Sequence, residues 1–198
     1  MNYSLYVEST PNPEVMKFVS NRMLVDQSIE ITNIEEAQDI SIAKELLKFP
    51  FIKSIYLNQN FISITKMRDV EWDKIAMQLR VFISDFLNKE GIKNYTENIT
   101  KTKRKLQKTN LEPNKNKENN LSEKEQHIIS LLNEYIKPAV ESDGGSITFY
   151  SYKDNIVTVN LRGACSGCPS ASSTLKMGIE SLLKEKVDDK IIVQANEG

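Results

Sequence analysis

Cysteine and histidine are nearly missing from this chain: it has two of the first and one of the second among 198 residues. Two thiols cannot staple a disulfide-rich secreted scaffold, and two cysteines with one histidine cannot fill the four positions of a structural zinc site. Net charge is as scarce, because 26 basic and 27 acidic residues leave -1, and no overall field draws the chain to nucleic acid or an anionic membrane. Apolar runs stop well short of the roughly 18 residues that mark a membrane span. The opening Met1-Asn2-Tyr3-Ser4-Leu5-Tyr6-Val7-Glu8 lacks the basic and apolar regions of a secretory signal and the Arg-rich look of a transit peptide. The chain is therefore expected to be cytoplasmic, with no nucleic-acid partner and no membrane partner.

What is present, 39% hydrophobic and 27% charged residues, suffices for one or two modest soluble domains. Composition shifts near Asn94, where Asn94-Tyr95-Thr96-Glu97-Asn98 leads into Lys101-Thr102-Lys103-Arg104-Lys105 and later Pro113-Asn114-Lys115-Asn116-Lys117. Such a stretch buries too little apolar surface to offset its ordering entropy. Residues 1–100 carry 11 basic and 14 acidic side chains, 101–121 carry 7 and 2, and 122–198 carry 8 and 11. The expected organisation is α+β: two small acidic mixed domains, residues 1–93 and 122–198, joined by a flexible basic linker, 94–121. A solvated, self-repelling spacer suits that linker better than a nucleic-acid arm.

In the first domain, Leu5 and Val7 alternate with polar neighbours, and Thr10-Pro11-Asn12-Pro13 forces an extended turn. A strand is expected at Val15–Val19, a helix through Ile40, Ala43, Leu46 and Leu47 that Pro50 closes, and a hairpin across Asn58-Gln59-Asn60. Trp72, Ile75, Ala76, Leu79, Phe82, Ile83, Phe86 and Leu87 describe one broad helix face, which reads as core. With no cysteine or histidine in residues 1–100, soft-metal chemistry is excluded there. Met16, Met23, Met67 and Met77 read as packing or surface.

In the second domain, Ser122 and Glu125 fit a capping box, followed by a helix face of Ile128, Leu131, Leu132, Tyr135 and Ile136 that Pro138 and Asp143-Gly144-Gly145 are expected to end. Ile147 and Phe149, then Val157, Val159 and Leu161, suggest two strands across Lys153-Asp154-Asn155. A helix through Ala171, Leu175, Ile179, Leu182 and Leu183 and a last strand at Ile191–Val193 give a short three-stranded sheet packed with helices.

Between the second strand and that helix lies Cys165-Ser166-Gly167-Cys168-Pro169. Orphan amides and the dipole at the helix start are expected to lower the thiol pKa and favour thiolates. Two intervening residues let both sulfurs converge on one centre. A thioredoxin-like dithiol would need one chain but normally a larger βαβ fold. Zinc would need ligands from two chains or borrowed carboxylates. A 4Fe-4S cluster wants four thiolates, which two copies about a two-fold axis supply. His127 and Trp72 read as surface and packing respectively, and Arg162 fits either a counter-charge to an anionic cluster or a solvated strand end.

Residues 122–198 resemble the NifU-like, or Nfu, domain through Lys137-Pro138-Ala139-Val140-Glu141-Ser142-Asp143-Gly144-Gly145, through Leu161-Arg162-Gly163-Ala164-Cys165-Ser166-Gly167-Cys168-Pro169-Ser170, and through Thr174-Leu175-Lys176-Met177-Gly178-Ile179-Glu180. The N-terminal domain resembles that of Nfu-type iron-sulfur carriers through Thr10-Pro11-Asn12-Pro13-Glu14-Val15-Met16-Lys17-Phe18. Ser146 stands where relatives often have an acidic residue. The resemblance implies a scaffold or carrier, not an enzyme, binding iron as a 4Fe-4S cluster (2Fe-2S the alternative) between the two subunits of a homodimer. Cys165 and Cys168 would be its ligands. Upstream assembly proteins and recipient apo iron-sulfur proteins are the implied partners, with the N-terminal domain docking targets. The alternatives are a thiol-disulfide oxidoreductase and a zinc-stabilised interaction module.

Overall fold

The computed structural model describes residues 2–91, 121–166 and 169–196, and for 38–39 and 169–172 the backbone only. The chain divides into two compact units, Met1–Glu112 and Pro113–Gly198, each taken by itself below. Both combine helices with strands, the α+β class expected. Residues 94–120 of the expected linker lie outside the described residues.

The N-terminal unit is built on five antiparallel strands, β1 (Leu5–Ser9), β2 (Val15–Ser20), β3 (Ile29–Ile31), β4 (Ile52–Asn58) and β5 (Phe61–Lys66), in the order β1-β2-β5-β4-β3. Register aligns Val7, Phe18, Ile62 and Leu57 across the sheet, with Met16, Ile64, Ile55 and Ile31 in the next row. Because side chains alternate along a strand, both rows share one face. That face packs with α1 (Ser41–Leu46) and with Ile75, Leu79, Ile83 and Leu87 of α2 (Trp72–Glu90). Each such side chain, buried, contributes about 1.5–3 kcal/mol. Helix α2 stops at Gly91, which takes φ +63° and donates to the Leu87 carbonyl at 3.0 Å. The opposite sheet face holds a small cluster of Val19, Tyr56 and Phe61, where the Lys17 ammonium sits 4.8 Å from the Phe61 ring centroid and 3.0 Å from Glu8.

Thr10 to Glu14 forms a hydrogen-bonded turn rather than a loose loop. Thr10 Oγ1 donates to the Asn12 carbonyl at 2.9 Å, the Glu14 amide donates to Asn12 Oδ1 at 3.0 Å, and Trp72 Nε1 donates to the Pro13 carbonyl at 3.1 Å. Trp72 is thus a packed residue, as expected. Met23, Met67 and Met77 are exposed.

The C-terminal unit starts at the expected capping box: the Glu125 amide donates to Ser122 Oγ at 3.2 Å and the Ser122 amide to Glu125 Oε2 at 2.9 Å. Helix α3 (Glu123–Leu131) does not end at Pro138. It widens into a π-helical stretch, Leu132–Ile136, and resumes as α4 (Lys137–Ser142). The Lys137 amide reaches back five residues to the Leu132 carbonyl. The wider turn accommodates proline's missing donor and its ring, and the helix survives where a strict α-helix would break. The stop comes at Gly144, φ +82°, whose amide donates to Glu141 at 3.1 Å.

Strands β6 (Gly145–Lys153) and β7 (Ile156–Gly163) pair antiparallel across Asp154 and Asn155, at φ +51° and +62°, the mirror-image turn that matches strand twist. Helix α5 (Pro169–Lys186) then crosses to β8 (Ile192–Ala195), parallel to β7. Ile128, Leu132, Val140, Ile147, Val157, Val159, Ile179, Leu183 and Val193 form the core. His127 is exposed, the surface residue expected.

Candidate functional site

The sheet order places the end of central strand β7 beside the start of β6. Gly163, φ +64°, closes β7 and faces Gly145 in the register. Its carbonyl accepts the Ser166 amide at 3.1 Å and Ser166 Oγ at 2.9 Å, which curls Ala164-Cys165-Ser166 into a tight turn. The Ala164 amide donates to the Gly144 carbonyl at 3.2 Å. The cysteine loop is therefore held from two sides before α5 begins.

Cys165 is partly buried against the core. Gly145 lies directly beneath it. A methyl group on Gly145 would stand 2.6 Å from the Cys165 Sγ, 2.8 Å from the Arg162 carbonyl oxygen and 3.0 Å from the Cys165 amide nitrogen. The structure thus separates two glycines that the sequence groups in one helix-ending turn: Gly144 ends the helix, and Gly145 makes room for the sulfur. A glycine inside a strand is the sequence signal of such close approach.

The electrostatics reverse one expectation. Burial first, and the Asp143 negative charge second, push the Cys165 thiol up from 9.0 to about 11. Helix-dipole stabilisation fades within the first turn, and Cys165 lies ahead of that turn with its sulfur against apolar groups. Cys168, the second expected ligand, lies outside the described residues, as does Gly167. The Arg162 side chain is exposed at the end of β7, while its carbonyl borders Gly145. No group of three His, Cys, Asp or Glu side chains able to hold a metal occurs among the described residues. No described helix is long and apolar enough to cross a membrane.

Fold and site define a two-domain α+β chain whose Cys-x-x-Cys sequence follows strand β7 and precedes helix α5 in the second domain. Residues 5–90 match the family model described as scaffold protein Nfu/NifU N terminal, and residues 128–194 match that of the NifU-like domain. Together these matches take in more than half of the chain, which belongs to the Nfu/NifU family. It is 27% identical over 192 residues to NifU-like protein 4, mitochondrial, of Arabidopsis thaliana, covering 93% of this chain and 63% of that one. It is 25% identical over 186 residues to the human NFU1 iron-sulfur cluster scaffold homolog, mitochondrial, covering 91% and 66%. The chain thus spans about two thirds or less of the length of these relatives. A NifU-like protein of Saccharomyces cerevisiae solved by solution NMR aligns over 43% of this chain and 79% of its own, with 26% identity and a TM-score of 0.39.

These relatives correct the expected location. They are mitochondrial by name, which overturns the cytoplasmic reading drawn from the composition of Met1–Glu8. Lack of an Arg-rich opening in one sequence is a compositional argument, and it yields to a whole set of mitochondrial relatives.

Proposed function

We propose that this chain is a non-catalytic scaffold or carrier that holds a 4Fe-4S cluster between two copies, through Cys165 and Cys168 of each, and passes it to apo-proteins. A 2Fe-2S cargo is the alternative form. The observation that carries the reading is the Cys165 sulfur itself: a soft donor seated over Gly145 on a loop fixed to Gly144 and Gly163. Thiolates suit iron-sulfur cargo, and a pair per chain is half of the usual four-thiolate set. Closure about a two-fold axis supplies the other half.

The residues of this chain do the holding, and iron-sulfur chemistry belongs to the cargo. Without cargo, burial and the Asp143 charge keep the Cys165 proton in place, so loading releases that proton as the thiolate engages a soft metal. Cargo at the boundary between copies is released when they part, since every ligand is then exposed. The N-terminal domain, residues 1–93, docks recipients, residues 122–198 carry the cargo, and the segment 94–121 links the two. Upstream assembly proteins load the site, and neither nucleic acid nor membrane takes part.

Anaerobic reconstitution with ferrous iron and sulfide tests this. A brown chain with broad visible absorption is expected, and Cys165→Ala or Cys168→Ala abolishes it. A colourless chain that reduces disulfides would replace the reading with an oxidoreductase, and tight zinc without inorganic sulfide would replace it with a zinc module.

A further inference from the structure

Gly144 and Gly145 adjoin, but only one has a backbone reason to be glycine. Gly144 takes φ +82°, where L-residues are strained, whereas Gly145 is the first residue of strand β6 and is not in that left-handed region. A side chain is therefore allowed at Gly145 by its dihedrals and refused by its surroundings. The refusal comes from three atoms: the Cys165 Sγ, the Cys165 amide nitrogen and the Arg162 carbonyl oxygen. Two are backbone atoms of the β7 end and the cysteine loop, and the register pairs Gly145 with Gly163. Of these three atoms, the sulfur is the one that belongs to a side chain.

Building on the cluster reading above, we infer that Gly145 is a positioning residue: by lacking a side chain it sets where the Cys165 sulfur sits. Any Cβ at 145 enters the space of the sulfur and of the Arg162 carbonyl oxygen, so Sγ must swing away while the β7 end gives, or the whole loop must lift from β6. Either change alters the direction from which Cys165 meets iron while leaving both cysteines in the chain. Gly178, on α5, has nothing within 4 Å of a built Cβ and serves as the matched control.

The test uses the full chain in two measurements. In the first, Gly145→Ala and Gly178→Ala are reconstituted beside wild type, and iron, sulfide and the visible circular dichroism are recorded. Gly145→Ala should hold less cluster with an altered dichroism band, and Gly178→Ala should match wild type. In the second, hydrogen exchange at the Val159 amide follows opening of the C-terminal unit with Cys165 present or replaced by alanine. Gly145→Ala should speed exchange in both backgrounds, because the Arg162 carbonyl oxygen 2.8 Å from the new methyl group remains when the sulfur is gone, but about tenfold more with the sulfur present than without it. Equal acceleration in both backgrounds, a variant that fails to fold even without the sulfur, or an unchanged cluster spectrum would each overturn the inference. Wild type and Gly178→Ala taking up no cluster would defeat the function itself and the inference with it, a result recognisable because the exchange coupling persists.

Discussion

The Ala164 amide donates to the Gly144 carbonyl at 3.2 Å, which makes the turn that ends α4 and the loop that carries Cys165 one hydrogen-bonded unit. Gly144 holds its half of that unit at φ +82°. Gly144→Ala should therefore cost about 1–2 kcal/mol of strain and loosen the cysteine loop together with the helix end. Hydrogen exchange at Ala164 and Val159 checks this, with both amides expected to exchange faster.

Gly178 offers the opposite case. It lies within α5 in open space, so Gly178→Ala gains helix propensity without a clash and should stabilise the C-terminal unit by about 0.8–1 kcal/mol. Slower exchange at Val159 is the expected readout.

A thiol pushed up to about 11 should be slow to alkylate. In the cluster-free Cys168→Ser chain at pH 8, iodoacetamide should react with Cys165 roughly a hundredfold more slowly than with an unperturbed thiol. The rate should keep rising beyond pH 9. The raised pKa means that the folded state favours the protonated thiol, so this contribution to stability is full below the ordinary thiol pKa and is lost as pH climbs through about 11.

Acid acts through other groups. The Glu180 carboxylate accepts from Lys184 Nζ at 2.6 Å and from the Val193 amide at 3.0 Å, and both hold its pKa below 4.5, tying α5 to strand β8. A lowered carboxylate pKa stabilises the fold above the unfolded value, and that stability is lost as pH falls through the folded one. Unfolding curves between pH 6 and pH 3, followed by exchange at Val159, should show a shallower acid loss in Glu180→Gln than in wild type.

The N-terminal turn gives a prediction that should leave the cluster untouched. Asn12 is 1% exposed and accepts the part-buried Glu14 amide, so Asn12→Ala removes a buried acceptor from the turn and should cost about 1 kcal/mol. Trp72 is the one tryptophan of the chain and contacts the same turn, so its fluorescence in urea reports this unit alone. Cluster uptake should be unchanged.

Periodic and capping signals were legible wherever local chemistry decided the outcome. The Ile75, Leu79, Ile83 and Leu87 stripe became the buried face of α2, and Ser122 with Glu125 formed the capping box of α3. The fit failed where tertiary context overrode local rules. Pro138 reads as a helix end, yet a π-helical stretch carries the chain through it. Strand β3 is three residues long, too short for alternation to announce it. The Cys165 position was legible and its electrostatics were not, because its burial against the C-terminal core is set by residues distant in sequence. The crowding at Gly145 likewise needs the β6 and β7 register, which no local pattern contains.

Sharing of the cluster between two chains is read most directly from native mass together with iron and sulfide content of the anaerobically reconstituted chain. A shared cluster gives a two-chain species with about four irons and four sulfides, which splits into single chains when the cluster is removed with a chelator. A single chain holding a complete cluster, or a two-chain species unaffected by Cys165→Ala and Cys168→Ala, would contradict it.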